Sequence, residues 1–286
     1  MTTAFKQTDM VFRFPIDDVT IRVADNKRRV TRPIYIDEWN EINQREFTLD
    51  VEDVAWFYVA EGHTIEILLY PGHSFSAVEL FLNSSIYAAV LHQRKVLPLH
   101  ASCFSYHEKN ILVCGDSGAG KSSLTVAFCQ EGGHFITDDV SPVVIKEGRP
   151  LVLSLSDRVK LWDDSLLQLN IEKNDLGKIQ DDVEKFYFPI ADPSKAVFAL
   201  HHVFVLQVDA QGDEVRFETV KGAQKLALLR AQIYKSEILQ GMPENDIIYF
   251  KHLTVLCKAL NITKITRPAQ IPIMQLMQAV KTFSNY

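Results

Sequence analysis

Residues 111–139 read ILVCGDSGAGKSSLTVAFCQEGGHFITDD, and the rest of the chain is understood from this stretch outward. Its centre, Gly115-Asp116-Ser117-Gly118-Ala119-Gly120-Lys121-Ser122, fills the phosphate-loop pattern G-x-x-x-x-G-K-[ST] without a gap. Glycines permit backbone conformations closed to other residues, so successive N–H groups can turn inward around a polyphosphate. Lys121 is then placed to reach the outer phosphates and the Ser122 hydroxyl to ligate Mg²⁺. The context fits. Ile111-Leu112-Val113-Cys114 is a short apolar run of the kind a buried parallel strand shows. Residues 122–130 hold no Gly or Pro and end at Gly132-Gly133, so a helix can start at the phosphates and stop at a glycine.

The segment His134-Phe135-Ile136-Thr137 reads as a second strand ending in Asp138-Asp139, with Asp138 seventeen residues past Lys121. In a parallel α/β sheet the carboxyl ends of the strands line the ligand crevice, which would bring both acids beside bound phosphates. One of the pair can hold Mg²⁺ while the other accepts a proton from an attacking hydroxyl. Upstream, residues 97–104 form a strand that pairs as a hairpin with the loop strand. His100 in that strand stands either as a satisfied core residue or as a site residue. Downstream, Arg158, Lys160 and Lys185 are basic residues embedded in apolar strands. Such positions suit an anionic partner or, equally, snorkelling at a sheet edge.

Composition limits the classes available. With 286 residues, 47% hydrophobic and 23% charged, the chain is long enough for a substantial core and ordinary for a globular protein. A net charge of -6 argues against a nucleic-acid or anionic-membrane surface. A phosphorylated ligand would therefore be held by a local positive site. Cys103, Cys114, Cys129 and Cys257 show no metal-ligand spacing and read as reduced thiols. With no secretory h-region in residues 1–11 and no run long enough to span a membrane, a cytoplasmic location is expected.

Residues 1–75 read as a β-rich region, with strands at 19–23, 34–36, 56–59 and 63–70 and with Trp39, Trp56, Phe57 and Tyr58 as core aromatics. Residues 76–286 read as the catalytic domain. That domain opens on a helix of about seventeen residues from Ser76 and continues with hairpins at 143–155 and 203–220. Residues 170–183 form a polar loop of a kind that covers sites, and a strand follows over 185–190. Helices then occupy 222–239 and 244–260, ahead of a strand at 262–267 and a helix at 273–283.

Three segments together, Leu97-Pro98-Leu99-His100-Ala101-Ser102, GDSGAGKSS and Ile136-Thr137-Asp138-Asp139-Val140, resemble the catalytic domain of HPr kinase/phosphorylase. That resemblance implies an α/β P-loop core of the HPr kinase and phosphoenolpyruvate carboxykinase type, using ATP and Mg²⁺. It implies that residues 115–123, Ser123 included, hold the nucleotide and that Asp138 is the base for a seryl hydroxyl. It also places His100 near the reacting phosphates, gives Ser122, Asp138 and Asp139 to the metal, and implies a homo-oligomer. Ser123 stands where bifunctional HPr kinases carry Glu, and their later Arg-Gly-rich signature is absent. The chain is thereby similar to stand-alone HPr-kinase-like proteins, one branch of which phosphorylates a serine of lasso precursor peptides. The expectation is a serine kinase acting on a peptide or small protein. HPr kinase/phosphorylase proper, a small-molecule kinase and a non-catalytic nucleotide sensor remain as alternatives.

Overall fold

The computed structural model describes residues 12–155, 158–180, 183–189 and 196–285. Its described residues are mixed α/β with four sheets and divide into two compact units, one within residues 1–95 and 235–247 and the other within 96–234 and 248–286. The reading of residues 1–11, and those parts of the 170–183 loop and the 185–190 strand that fall on 181–182 and 190, lie outside the described residues. Among the described residues, no helix is long and apolar enough to cross a membrane.

The first unit holds β1 (Thr20–Val23), β2 (Tyr35–Ile36), β3 (Asn40–Ile42), β4 (Glu46–Val51), β5 (Ala55–Ala60) and β6 (Thr64–Leu69) in one sheet of order β1-β6-β5-β4-β3-β2. Residues 40–51 carry too many polar side chains to read as strands, yet they supply β3 and β4. Trp56, Phe57 and Tyr58 are core as expected, whereas Trp39 is 46% exposed. Helices α1 (Phe75–Phe81) and α2 (Tyr87–Gln93), joined by a π-helical turn, cluster with this sheet and not with the second unit. The physical reason is local. The Gln93 side chain donates to the Val59 carbonyl and accepts from the Gly62 N–H, and Arg94 donates to the Gly62 carbonyl at 2.7 Å. The unit is completed by residues 235–247. There Asn245 is fully buried, bonded to Gln44 and to the His92 carbonyl, and Gly241 lies so close to Ile42 that a Cβ would overlap it.

The second unit is built on β7 (Leu97–Leu99), β8 (Ala101–Tyr106), β9 (Lys109–Gly115), α3 (Lys121–Gln130) and β10 (His134–Thr137). Next in the chain come β11 (Ser141–Lys146), β12 (Arg149–Leu153), β13 (Arg158–Trp162), α4 (Asp163–Gln168), β14 (Gly177–Gln180), β15 (Val183–Pro189) and β16 (Val197–Ala199). The chain finishes with β17 (His202–Asp209), β18 (Arg216–Thr219), α5 (Ala223–Arg230), α6 (Pro243–Ala259), β19 (Asn261–Pro268) and α7 (Ile273–Ser284). Its central sheet runs β10-β8-β9-β17-β19-β18. The expected β8–β9 hairpin is present. β9, β17 and β19 are parallel neighbours, and β8 is antiparallel to both β9 and β10.

Three expectations change here. β10 is not a parallel neighbour of the loop strand, because β8 intervenes; two reversals leave β10 running the same way as β9, so its carboxyl end still emerges beside the loop. β17 and β18 are not a hairpin, because β19 inserts between them and pairs with both. The expected 222–239 helix ends at Arg230, since residues 232–234 leave it to bond along β7: Tyr234 N–H donates to the Pro98 carbonyl at 2.9 Å. β7 itself joins a second sheet, β16-β12-β11-β7, while β13, β15 and β14 form a third.

The strand Ile111-Leu112-Val113-Cys114 is wholly buried, as a strand covered on both faces should be. Cys103 and Cys114 are buried free thiols, and Cys129 and Cys257 are partly buried. Helix α3 packs between β8 and the amphipathic α7, whose Leu276, Met277 and Val280 face the core. Phe128 stacks on Phe104 at 4.5 Å between ring centres and meets the edge of Tyr106 at 5.0 Å. Phe128→Ala should lower the unfolding free energy by about 3–5 kcal/mol, read from the urea midpoint, whereas a loss below about 1 kcal/mol would show that the ring is not packed as described.

Candidate active site

At the carboxyl end of β9 the chain turns through the glycine loop into α3. Gly115, Gly118 and Gly120 have φ of 141°, 80° and 98°, the left-handed side that side chains disfavour. A Cβ on Gly115 would also lie 2.6 Å from the Leu206 carbonyl oxygen of the adjacent β17. Two long-range side chains fasten the loop. The Gly115 N–H donates to Gln232 Oε1 at 2.9 Å, and Arg267 at the end of β19 donates to the Ala119 and Gly118 carbonyls at 2.8 and 3.3 Å. Because a peptide unit is planar and trans, holding the Ala119 carbonyl also fixes where the Gly120 N–H points. Lys121 is 6% exposed and folds back, its ammonium donating to the Gly115 and Asp116 carbonyls at 2.9 and 3.0 Å.

Asp138 lies directly behind this loop. It accepts hydrogen bonds from the Ser102 hydroxyl, from Ser122 Oγ at 2.7 Å and from the Lys160 N–H at 2.9 Å, and it is only 5% exposed. Burial, reinforced by the negative charge of Asp139, raises its pKa despite those three donors. Asp139 differs in every respect. Its backbone is left-handed at φ 67°, its side chain lines the cavity, and it receives the Lys160 ammonium at 2.6 Å. Burial alone would raise it, but Lys160, Lys185 and His100 outweigh burial and hold it at about 2. Lys160 is raised in turn by Asp139, against the effect of its burial.

One cavity of 340 Å³ collects these groups. Ser117, Gly118, Gly120, Lys121, Ser122 and Ser123 line it, together with His100, Asp139, Lys160, Trp162 and Lys185 from the elements around β8, β10, β13 and β15, and Arg267, Ala269, Ile271, Ile273 and Leu276 from β19 onward. Burial lowers the pKa of Lys185. Among the described residues no carboxylate lies within ion-pair distance of its ammonium, which sits 5.2 Å over the Trp162 ring. Arg158, expected beside the anion, instead stacks on Tyr187 at 4.1 Å and does not line the cavity. Ser123 donates to Ser165 Oγ, also in the cavity lining, at 2.8 Å. Asp116 and Ala119 contribute through their main chains. The hydroxyl-and-carboxylate set suits Mg²⁺, which is usually held by one or two carboxylates together with substrate phosphates. Among the described residues there is no group of three or more His, Cys, Asp or Glu of the kind that cages a metal without a substrate.

The structure brings His100, Lys121, Ser122, Asp139, Lys160 and Lys185 to one cavity with Asp138 bonded behind it, and adds residues the sequence reading did not flag. Ser102 lay inside the quoted Leu97–Ser102 segment without a role. Arg267 carried a usable signal, a cation ending an apolar strand. Gln232 carried none, since it sat in an expected helix.

No protein-family model matches the sequence, and no curated protein matches it. Among solved structures, the HPr(Ser) kinase/phosphatase from Coxiella burnetii is similar at 12% identity and a TM-score of 0.36, over 66% of this chain and 96% of that one. At that level of likeness the chemistry of this chain rests on its own residues.

His100 Nε2 lies 3.9 Å from Asp139, within ion-pair range, yet burial and the nearby Lys121 press the imidazole down to about 4, so at neutral pH the contact joins a neutral ring to a carboxylate. An NMR titration of the His100 ring should show its midpoint near that value. Since the folded-state value lies below the unfolded one, protonation favours the unfolded chain, and stability should fall as pH drops from about 6.5 towards 4. A midpoint at 6.5 would place the ring in solvent.

Proposed function

We propose that the second unit is an ATP- and Mg²⁺-dependent phosphotransferase that passes the γ-phosphate to a serine hydroxyl of a peptide or small protein. The observation that carries this reading is a single cavity joining a glycine loop at a helix N-terminus, a Ser122 hydroxyl backed by Asp138, and Asp139 flanked by Lys160 and Lys185. Loop N–H groups and the start of α3 form an anion site for the triphosphate. Ser122, oriented by Asp138, would hold Mg²⁺, which when bound neutralises charge between the outer phosphates. Lys121 is free to exchange its bonds with the loop carbonyls for phosphate oxygens.

The acids divide the work differently from the sequence expectation, which made Asp138 the base. Asp138 is occupied by three donors and does not line the cavity, whereas Asp139 does. We therefore assign Asp139 to orienting the acceptor hydroxyl and taking its proton as the new O–Pγ bond forms and the bond to the β-phosphate oxygen breaks, releasing ADP. A carboxyl held at about 2 is a weak base, but phosphoryl transfer through a loose transition state needs positioning more than base strength. Lys160 and Lys185 face the charge on the transferring group. The HPr-kinase likeness of the sequence makes lasso precursor peptides the first acceptors to assay, and it carries with it a homo-oligomer in the cytoplasm.

Lys121→Ala should abolish phosphate transfer. Asp139→Asn should lower kcat by about 10²–10⁴ with MgATP binding kept, while Asp138→Asn should raise the Mg²⁺ concentration needed for half-maximal activity. The reverse sorting of the two variants would return the base to Asp138. Mass spectrometry after incubation with peptide and metabolite panels reads the acceptor: a phosphometabolite without phosphopeptide would refute the peptide arm, and bound ATP with no transfer to anything would leave a nucleotide sensor.

A further inference from the structure

The cavity is chemically lopsided, and the strand order explains how. Along the carboxyl edge of the central sheet the order is β10, β8, β9, β17, β19. The glycine loop leaves β9, in the middle. On the β8 and β10 side stand His100 and Asp139, joined by Lys160 and Lys185. On the β19 side stands Arg267, and past it Ala269 and Ile271, backed by the buried Ile273 and Leu276, give an aliphatic wall. A triphosphate on the loop thus has a charged end and an apolar end available on opposite sides.

We propose that the aliphatic wall beyond Arg267 is the nucleoside subsite, so that a bound nucleoside triphosphate lies along the sheet edge with its base against Ala269 and Ile271 and its terminal phosphate at Asp139. This rests on the phosphotransferase reading above and adds the direction in which the nucleotide lies. A nucleobase is a neutral ring with apolar faces, and burying it against aliphatic side chains removes apolar surface from water. At the opposite end the same ring would cover Lys160 and Lys185 without supplying an anion, and uncompensated burial of charge is costly. Arg267 is tied into the loop and the start of the wall, with four of its five N–H donors on the carbonyls of Gly118, Ala119, Pro268 and Ala269. It forms the partition between the loop and the wall. Asp164, which also lines the cavity and whose charge acts on Arg267, supplies an acceptor for sugar hydroxyls on this side.

The orientation is tested by comparing MgATP with inorganic tripolyphosphate plus Mg²⁺, both measured by calorimetry on the full chain. Ala269 is exposed and lines the cavity, so Ala269→Trp fills the wall without disturbing the core. It should weaken MgATP at least tenfold and leave tripolyphosphate within about twofold. Ile271→Ala, which removes contact instead of blocking it, should weaken MgATP several-fold, again sparing tripolyphosphate. Parallel losses of both ligands, or full MgATP affinity in both variants, would overturn the assignment while leaving the phosphate loop intact. If the unmodified protein binds neither ligand, the phosphotransferase reading fails and the subsite with it.

Discussion

One buried carboxylate holds the site together. Asp138 receives Ser102 from the start of β8, Ser122 from the first turn of α3 and a main-chain N–H from β13 in the third sheet, so three segments distant in sequence are fixed to one side chain. An ionised group so deeply buried is tolerable only while its donors remain, since a buried charge stripped of partners costs several kcal/mol. Burial, together with the charge of Asp139, raises its pKa against the three donors.

The neighbouring acid shows how far environment separates identical side chains. Successive residues of a strand point to opposite faces, but Asp139 leaves β10 in a left-handed conformation, so the pair is set by a turn and not by strand alternation. Lys160 attends to both acids at once, its N–H on Asp138 and its ammonium on Asp139. Burial and the Asp139 charge push Asp138 towards neutrality against the Lys160 N–H, while the Lys160 ammonium helps hold Asp139 ionised. Lys185, with no carboxylate within ion-pair range among the described residues, leaves the same wall with positive charge to spare.

What could be read from the sequence was what is local. The strand, glycine loop and helix at 111–130 are specified by burial, positive-φ glycines and a continuous helical run, and these survive unchanged. The acid pair was legible by its position, although the parallel-sheet reasoning behind it omitted β8. Long-range pairing was not legible: nothing in residues 203–220 announces that β19 will insert between β17 and β18. Likewise Gln232 and Arg267 act from 117 and 148 residues away, at distances no spacing rule reaches. In the first unit, β3 and β4 were hidden because their polar side chains, such as Thr48 and Glu46, are bonded inside the sheet and not left in water.

The two thiols beside the loop strand give the fold a built-in clock. Cys103 and Cys114 sit on the paired strands β8 and β9, both fully buried, and burial pushes the Cys103 thiol far up and the Cys114 thiol to about 12. Neither can form thiolate while the strands are closed. Alkylation at either position under native conditions therefore counts openings of the strand pair that carries the glycine loop, Cys114 being the residue next to Gly115.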